Sequence, residues 1–142
     1  MGGEGPEVTF VPTPAGEDPL DAADDQVDAL LDEGWRPEDV ALITTGRRHD
    51  VQVELQEMEG QEGYWDSFWD KESVFYGHVL GCKGLERRAV VLCVNDTGAY
   101  DRSKEKLYVG LSRATDRLVV VGDPELITAM GGPDVARRLG IG

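Results

Sequence analysis

The sequence predicts an α/β domain in which a parallel sheet is flanked by helices. Short runs rich in β-branched and apolar residues alternate along the chain with segments whose apolar residues recur at helical spacing. The run at residues 88–95 is almost continuously apolar, as expected where helices cover both faces of a parallel sheet. A length of 142 residues favours a single domain spanning residues 1–142.

Five strands are predicted from the β-rich runs. The first is ended by Pro12 and Pro14, and the second is closed by Gly46. Residues 1–7, which precede the first strand, are expected to form a disordered tail. In chain order, the predicted strands cover residues 8–11, 39–45, 74–80, 88–95 and 118–123.

Helices are predicted between these strands. In the first helix, acids occupy the face opposite the apolar stripe, and Gly34 follows as a helix stop. Pro124 opens a short helix after the last strand, and a Gly-Gly-Pro sequence separates it from a final helix. The three longer helices are predicted at residues 20–33, 49–59 and 101–115.

Residues 60–71 have no clear period and are predicted to be a loop. Three aromatic residues stand close together there, namely Tyr64, Trp65 and Trp69. Such a group either anchors a loop to the core or binds a ligand, and the sequence leaves both possibilities open.

The acidic balance of the chain limits its partners. A formal charge of −14 argues against a domain that binds nucleic acid by itself, because such domains are usually basic. The acids are concentrated in residues 17–33, which contain no base, whereas residues 83–88 and 102–117 are basic or balanced. The acidic run is interpreted as a solvated helix face.

Other features exclude whole classes of protein. Cys82 and Cys93 have neither CxxC spacing nor neighbouring histidines, so no metal site and no disulfide framework is predicted, and Cys93 is expected in the core. No apolar run is long enough to cross a bilayer. Residues 1–6 lack the basic and apolar regions of a signal peptide, so no membrane association and a cytoplasmic location are expected.

The sequence contains no P-loop, since no GxxxxGK[ST] pattern and no apolar run ending in Asp-Glu occurs. Two segments nevertheless have the residues that a nucleotide site needs. Residues 79–86 contain Lys83, Gly84 and Glu86 in a glycine-containing turn after a strand, where a lysine could meet phosphate and a glutamate a ribose hydroxyl. The alternative is an ordinary turn with two exposed charges.

The second segment is Lys-Leu-Tyr-Val-Gly-Leu-Ser-Arg-Ala-Thr at residues 106–115. Arg113 is predicted near the end of its helix, where a fixed guanidinium could stabilise phosphoryl charge as an arginine finger. The alternative is an arginine that favours the helix carboxyl terminus through the helix dipole.

The two segments together resemble superfamily-one DNA helicases of the UvrD/Rep type. Lys-Gly-Leu-Glu at 83–86, before an apolar strand, resembles motif V of that family. Leu-Tyr-Val-Gly-Leu-Ser-Arg-Ala at 107–114, before the strand at 118–121, resembles motif VI in the same order and at similar spacing. The resemblance is closest over residues 74–123 and looser over residues 38–48.

The resemblance implies a RecA-like fold, here lacking a P-loop, that forms the C-terminal of two motor domains. ATP and Mg²⁺ would bind in the cleft between this domain and an N-terminal P-loop domain of the same protein. Arg113 would be the catalytic finger at the γ-phosphate, Glu86 would contact the ribose, and Lys83 and Gly84 would shape the nucleotide side of the cleft. The isolated chain is therefore expected to be inactive.

In that family motif V also links the nucleotide site to single-stranded DNA, which is expected to bind this chain weakly. The chain departs from the family pattern here: His78 replaces a common threonine, and Arg87 and Arg88 replace an aromatic residue and an acid. His78, Arg87 and Arg88 are the predicted nucleic-acid contacts, with ordinary surface exposure as the alternative for the two arginines.

A second function also fits the sequence. The chain could be a catalytically inactive, free-standing adaptor that keeps the helicase-like fold. Its acidic helix at residues 20–33 would then be the surface that binds another protein.

Overall fold

The computed structural model describes residues 7–14, 17–69, 74–81, 86–96 and 103–141, with the side chains of residues 61, 64–69 and 103 outside the description. The strands are β1 (Glu7–Pro12), β2 (Val40–Thr44), β3 (Phe75–His78), β4 (Arg87–Val94) and β5 (Ala114–Gly122). The helices are α1 (Leu20–Asp32), α2 (Asp50–Trp69), α3 (Ser103–Leu111) and α4 (Pro124–Leu139), with a short 3₁₀ turn at Pro37–Asp39.

The five strands form one parallel sheet in the order β1-β5-β4-β2-β3. This confirms the predicted α/β class, with a parallel sheet flanked by helices as in a RecA-like domain. The central strands β4 and β2 are buried almost throughout, which explains their continuous apolar sequences.

Two apolar clusters cover the two faces of the sheet. On one face, α1 packs Leu20, Ala23, Val27 and Leu30 against alternate residues of β2, β4 and β5. On the other face, α3 and α4 cover the remaining alternate residues, with Leu107, Leu111 and Ile127 fully buried. Cys93 lies in the first cluster, as predicted, and burial raises the pKa of its thiol.

The parallel strands give the sheet two different ends. We call the end where the strands begin the amino edge and the end where they finish the carboxyl edge. The amino edge is marked by Glu7, Val40, Phe75, Arg87 and Ala114, and the carboxyl edge by Pro12, Thr44, His78, Val94 and Gly122.

Several predicted boundaries are wrong. The predicted loop at 60–71 is helical as far as Trp69, because Gly60 adopts a φ of 71° that breaks the helix and a second helical stretch follows. The helix predicted at 101–115 ends at Leu111, and β5 begins at Ala114, four residues earlier than predicted. Glu7 opens β1 rather than ending a tail, and residues 1–6 lie outside the described residues.

The predicted separation between the last two helices is confirmed. α4 contains a break at Gly132, whose φ of 80° and ψ of −175° are not helical, immediately before Pro133. Among the described helices, none has the length and apolar character needed to cross a membrane.

Candidate functional site

Arg113 lies in the short turn that joins α3 to β5, at the amino edge of the sheet. Arg113 was predicted to lie within the helix, near its end, but it lies two residues beyond the last helical residue, Leu111. The guanidinium Nε donates to the carbonyl oxygen of Val109 at 3.0 Å, and Nη2 donates to Ser112 Oγ at 2.8 Å. The Ser112 hydroxyl in turn donates to the same Val109 carbonyl at 2.8 Å. Arg113 is half-buried, and these contacts orient its fork at the helix carboxyl terminus.

The segment that ends with Glu86 meets the Arg113 turn at this edge. The backbone N–H of Arg87 donates to the carbonyl oxygen of Arg113 at 3.0 Å, and Arg87 pairs with Ala114 in the β4–β5 ladder. Glu86 is exposed and immediately precedes this pair. Residues 79–86 were predicted to approach a ligand at the carboxyl end of a strand, but Glu86 lies at the opposite, amino edge. Lys83 and Gly84 lie outside the described residues.

Arg87 is buried, which corrects its predicted role as a contact to the DNA backbone. Only 8% of the residue is exposed. Its Nη1 donates to the carbonyl oxygens of Val40 at 3.1 Å and Pro37 at 3.3 Å, and its guanidinium lies 5.6 Å from the centroid of the Phe75 ring. The side chain stabilises the amino edge from within and is not available to a phosphate outside.

Arg88 is exposed and engaged by acidic and aromatic neighbours. Its Nε donates to Asp116 Oδ2 at 2.7 Å, which raises the pKa of the guanidinium, and its guanidinium carbon lies 5.3 Å from the centroid of the Trp35 ring. A register shift between Arg87 and Ala89 accompanies the different surroundings of these two adjacent arginines.

His78 lies at the carboxyl edge, so the three predicted nucleic-acid residues do not form one surface. Its Nε2 lies 2.9 Å from the carbonyl oxygen of Gly46, and its Nδ1 accepts the N–H of Leu80 at 3.1 Å. Burial lowers the pKa of the imidazole, and the positive charge of Lys106 acts in the same direction. The ring is therefore neutral near pH 7, with the proton on Nε2, and both nitrogens are used by the backbone.

A buried polar network at the carboxyl edge was not predicted. The Lys106 side chain is 7% exposed, and its ammonium donates to Asp96 Oδ2 at 2.7 Å and to the carbonyl oxygen of Thr45 at 2.8 Å. The Thr45 hydroxyl donates to the other Asp96 oxygen. The position of Asp96 two residues after a buried strand was a signal for a polar cluster, whereas Lys106 beside Leu107 gave none.

The loop after β2 is fixed to the end of β4 by Asn95. Its Oδ1 accepts the N–H of Gly46 at 2.8 Å, and its Nδ2 donates to the carbonyl oxygen of Arg47 at 2.8 Å. A side chain at Gly46 would come within 2.6 Å of the Asn95 carbonyl oxygen, so this close approach requires glycine. Gly46 and Arg47, which belong to the segment of looser resemblance at 38–48, therefore shape the carboxyl edge.

The two edges of the sheet differ in their charged side chains and therefore in the ligands that they can bind. A cavity of about 470 Å³ at the carboxyl edge is lined by Glu17, Asp18, Asp96 and Asp123, and its Arg47 is already paired with Asp18 at 2.7 Å. Carboxylates of this density repel a triphosphate. The amino edge carries a half-buried guanidinium at Arg113 and an exposed carboxylate at Glu86.

The comparison with protein families matches the same part of the chain. Residues 78–121 match the family described as the UvrD-like helicase C-terminal domain. The matched segment runs from the end of β3 into β5 and includes Glu86 and Arg113. The search of curated proteins gave no match. The match covers 44 of the 142 residues and supports the similarity of this part of the chain to a UvrD-like helicase C-terminal domain.

Proposed function

We propose that the chain is one of two motor domains of an ATP-dependent DNA helicase and supplies half of its ATP site. The observation that carries this proposal is the 3.0 Å backbone hydrogen bond between Arg87 and Arg113. It holds the end of the motif V segment beside the motif VI turn, so that the backbones of Glu86 and Arg113 lie near one another at the amino edge. A partner domain placed against the amino edge would enclose a nucleotide between them.

Arg113 is proposed to act as the arginine finger. Phosphoryl transfer places negative charge on the equatorial oxygens of the γ-phosphate, and a planar guanidinium can donate to two of them. The carbonyl of Val109 and the hydroxyl of Ser112 hold Nε and Nη2, which orients the fork before a phosphate arrives. Such preorganised donors lower the barrier because they need not reorganise during the reaction.

Glu86 is proposed to accept a hydrogen bond from a ribose hydroxyl. It is exposed and directly precedes β4. The next residue, Arg87, forms the backbone hydrogen bond with Arg113. Lys83 and Gly84 are proposed to shape the same side of the cleft. Mg²⁺ and the β-phosphate would be held by the partner domain, because this sequence has no P-loop. Bound Mg²⁺ would neutralise charge that develops on the phosphates.

The proposal is tested with the chain joined to an N-terminal P-loop domain of the same protein, by measuring ATP hydrolysis stimulated by single-stranded DNA. Arg113→Ala should lower turnover by about 10³ or more, the scale of finger removal. Arg113→Lys should be nearly as slow, because an ammonium cannot reproduce the forked contact. Arg137→Ala is the matched control, since Arg137 is 79% exposed on α4.

Both Arg113 variants should keep a thermal midpoint close to that of the parent, which separates lost catalysis from lost folding. Full turnover in Arg113→Ala would refute the finger assignment. If the joined protein has no ATPase activity at all, the adaptor function becomes the better explanation. In that case the exposed acids of α1, among them Asp21, Asp25 and Asp28, would be the surface to test for protein binding.

A further inference from the structure

The cavity of about 470 Å³ at the carboxyl edge lies where the chain leaves neighbouring strands towards opposite faces of the sheet. β1 and β5 are adjacent, but β1 leads into α1 on one face, whereas β5 leads into α4 on the other. Residues that follow both strands line the cavity, which we call the carboxyl-edge cavity. In open α/β sheets, the crevice outside the carboxyl ends of two such strands is the usual position of a ligand site.

Thr13 gives this cavity a polar group that the protein itself leaves unused. It directly follows β1, lines the cavity and is only 9% exposed. Its N–H donates to the carbonyl oxygen of Gly122 at 2.9 Å, but its hydroxyl oxygen has no hydrogen-bond partner within the described part of the chain. A buried hydroxyl without a partner destabilises the folded protein, so a ligand that donates to it would recover that loss.

Two helices begin beside the cavity, and carboxylates already cap both of them. At the start of α1, Asp18 Oδ1 accepts the N–H of Leu20 at 3.0 Å. At the start of α4, Asp123 Oδ1 accepts the N–H of Glu125 at 3.0 Å. A helix N-terminus otherwise attracts anions through its free N–H groups and its dipole. Because the protein's own acids use that attraction here, an anionic ligand would meet negative charge.

The carboxyl-edge cavity holds more negative charge than the protein neutralises. Asp18 and Asp96 each have a cationic partner at 2.7 Å. Glu17 and Asp123 also line the cavity, and neither forms an ion pair with a residue that the structure describes. Two carboxylates and one neutral hydroxyl are therefore left as acceptors, which is the complement of a positively charged group that carries several N–H donors.

We propose that the carboxyl-edge cavity binds an organic cation through a primary ammonium or guanidinium group. Asp123 and Glu17 supply the negative charge, and the Thr13 hydroxyl supplies the neutral acceptor. A metal ion fits less well, because no three side chains of the ligating types are grouped to hold one among the described residues. The volume of about 470 Å³ also leaves room for part of the carbon chain. The inference does not depend on the proposed half-site, which lies at the other edge.

The test titrates the 142-residue chain with agmatine, a free diamine with a guanidinium at one end, and with Nα-acetylarginine amide, which presents an arginine side chain. Nuclear magnetic resonance follows the backbone N–H signals of Thr13, Asn95 and Asp123 at constant ionic strength. We expect saturable shifts with a dissociation constant of about 1 mM or tighter. If only agmatine binds, the ligand is a free diamine. If the arginine amide binds as well, an arginine side chain of another protein can fill the cavity.

Tetramethylammonium is the control ligand, because it has the charge but no N–H donor. It should leave the three signals in place. The proposal is overturned if neither agmatine nor the arginine amide gives saturable shifts, or if tetramethylammonium binds as tightly as they do.

Variants separate the cavity from the general acidity of the surface. Asp123→Asn keeps a residue that can cap α4 but removes the charge, and it should weaken agmatine binding by about tenfold, the scale of a lost charge-assisted hydrogen bond. Asp28→Asn removes the same charge from the exposed face of α1 and should bind as the parent does. Equal weakening in the two variants would mean attraction to the overall charge and would overturn the proposal.

Thr13→Val tests the hydroxyl without a loss of folding. Valine has nearly the shape of threonine and leaves no buried hydroxyl unpaired, so the thermal midpoint should stay the same or rise. Agmatine binding should nevertheless weaken by about fivefold, the scale of one neutral hydrogen bond. If Thr13 has only a structural role, agmatine affinity will equal that of the parent, and that result would overturn the proposed site.

Discussion

The backbone N–H of Arg87 lies 3.0 Å from the carbonyl oxygen of Arg113, across the first rung of the β4–β5 ladder. These residues are far apart in the sequence. Arg87 directly follows the segment at 83–86 that resembles motif V, and Arg113 lies near the end of the segment at 107–114 that resembles motif VI. The start of β4 and the turn that contains Arg113 consequently lie side by side at the amino edge. The adjacent arginines at 87 and 88, by contrast, have unlike surroundings although the sequence gives them the same charge.

Stability should separate Arg87 from Arg88. Arg87→Ala leaves the carbonyl oxygens of Val40 and Pro37 without a charged donor inside the protein, which should cost about 3 kcal/mol of unfolding free energy. Arg88→Ala removes an exposed ion pair and should change stability little. Urea unfolding of both variants measures the difference. A loss for Arg88→Ala as large as that for Arg87→Ala would contradict the assignment.

The acid side of the stability profile should depend on His78. Its pKa is lowered in the folded protein by burial and by Lys106, from an unfolded value near 6.5. Below that value the unfolded chain binds the proton first, so stability falls as the pH drops through about 6.5 towards the folded pKa. Above it the imidazole is neutral in both states and contributes no pH dependence.

Thermal midpoints of the parent and of His78→Gln, measured between pH 5 and 7.5 (a range of about one to two units around the histidine pKa), test this. A glutamine amide can still donate to the carbonyl oxygen of Gly46 but does not titrate. The variant should lose part of the acid slope, and an unchanged slope would show that another group is responsible.

The isolated chain should not hydrolyse ATP. Nothing in its sequence matches the P-loop that holds the β-phosphate and Mg²⁺, and Arg113 can stabilise a phosphate only if another domain presents it. Phosphate release is measured with and without single-stranded DNA. Turnover that disappears in Arg113→Ala would mean that this chain holds a complete site.

Binding of the isolated chain to single-stranded DNA should be weak and should fall steeply with salt. Of the three predicted contacts, Arg87 is buried, His78 is bonded to the backbone at the other edge, and Arg88 is paired with Asp116. With a formal charge of −14, we expect a dissociation constant no tighter than roughly 10⁻⁴ M at physiological salt. Fluorescence anisotropy with a labelled oligonucleotide measures it, and submicromolar binding would reveal a basic surface that the described residues lack.

The class of fold could be predicted from sequence because it depends on local patterns. Apolar runs, helical spacing and glycine stops lie within a few residues of the elements they define. The end of α3 was misplaced for a related reason: Ala114 continues the apolar stripe of Leu107 and Leu111, yet it is buried as the first residue of β5. The same apolar stripe continues from α3 into β5, so periodicity alone could not show where the helix ends.

The polar interior was harder to predict because its partners are distant in sequence. Arg87 is buried only because the carbonyl groups of Pro37 and Val40 converge on its guanidinium. Lys106 likewise needs Thr45 and Asp96, which approach it from two other segments. No spacing within residues 83–88 or 103–111 signals such convergence.

Helix α3 connects the two ends of the sheet. Lys106, near its start, is locked to Asp96 and to the Thr45 carbonyl, and the loop that follows Thr45 also holds the His78 ring through Gly46. Two residues beyond its last turn stands Arg113. With a rise of about 1.5 Å per residue, the helix spans the short distance between these two points. The helix therefore joins the turn that carries Arg113 to the loop that fixes the His78 ring through one continuous set of contacts.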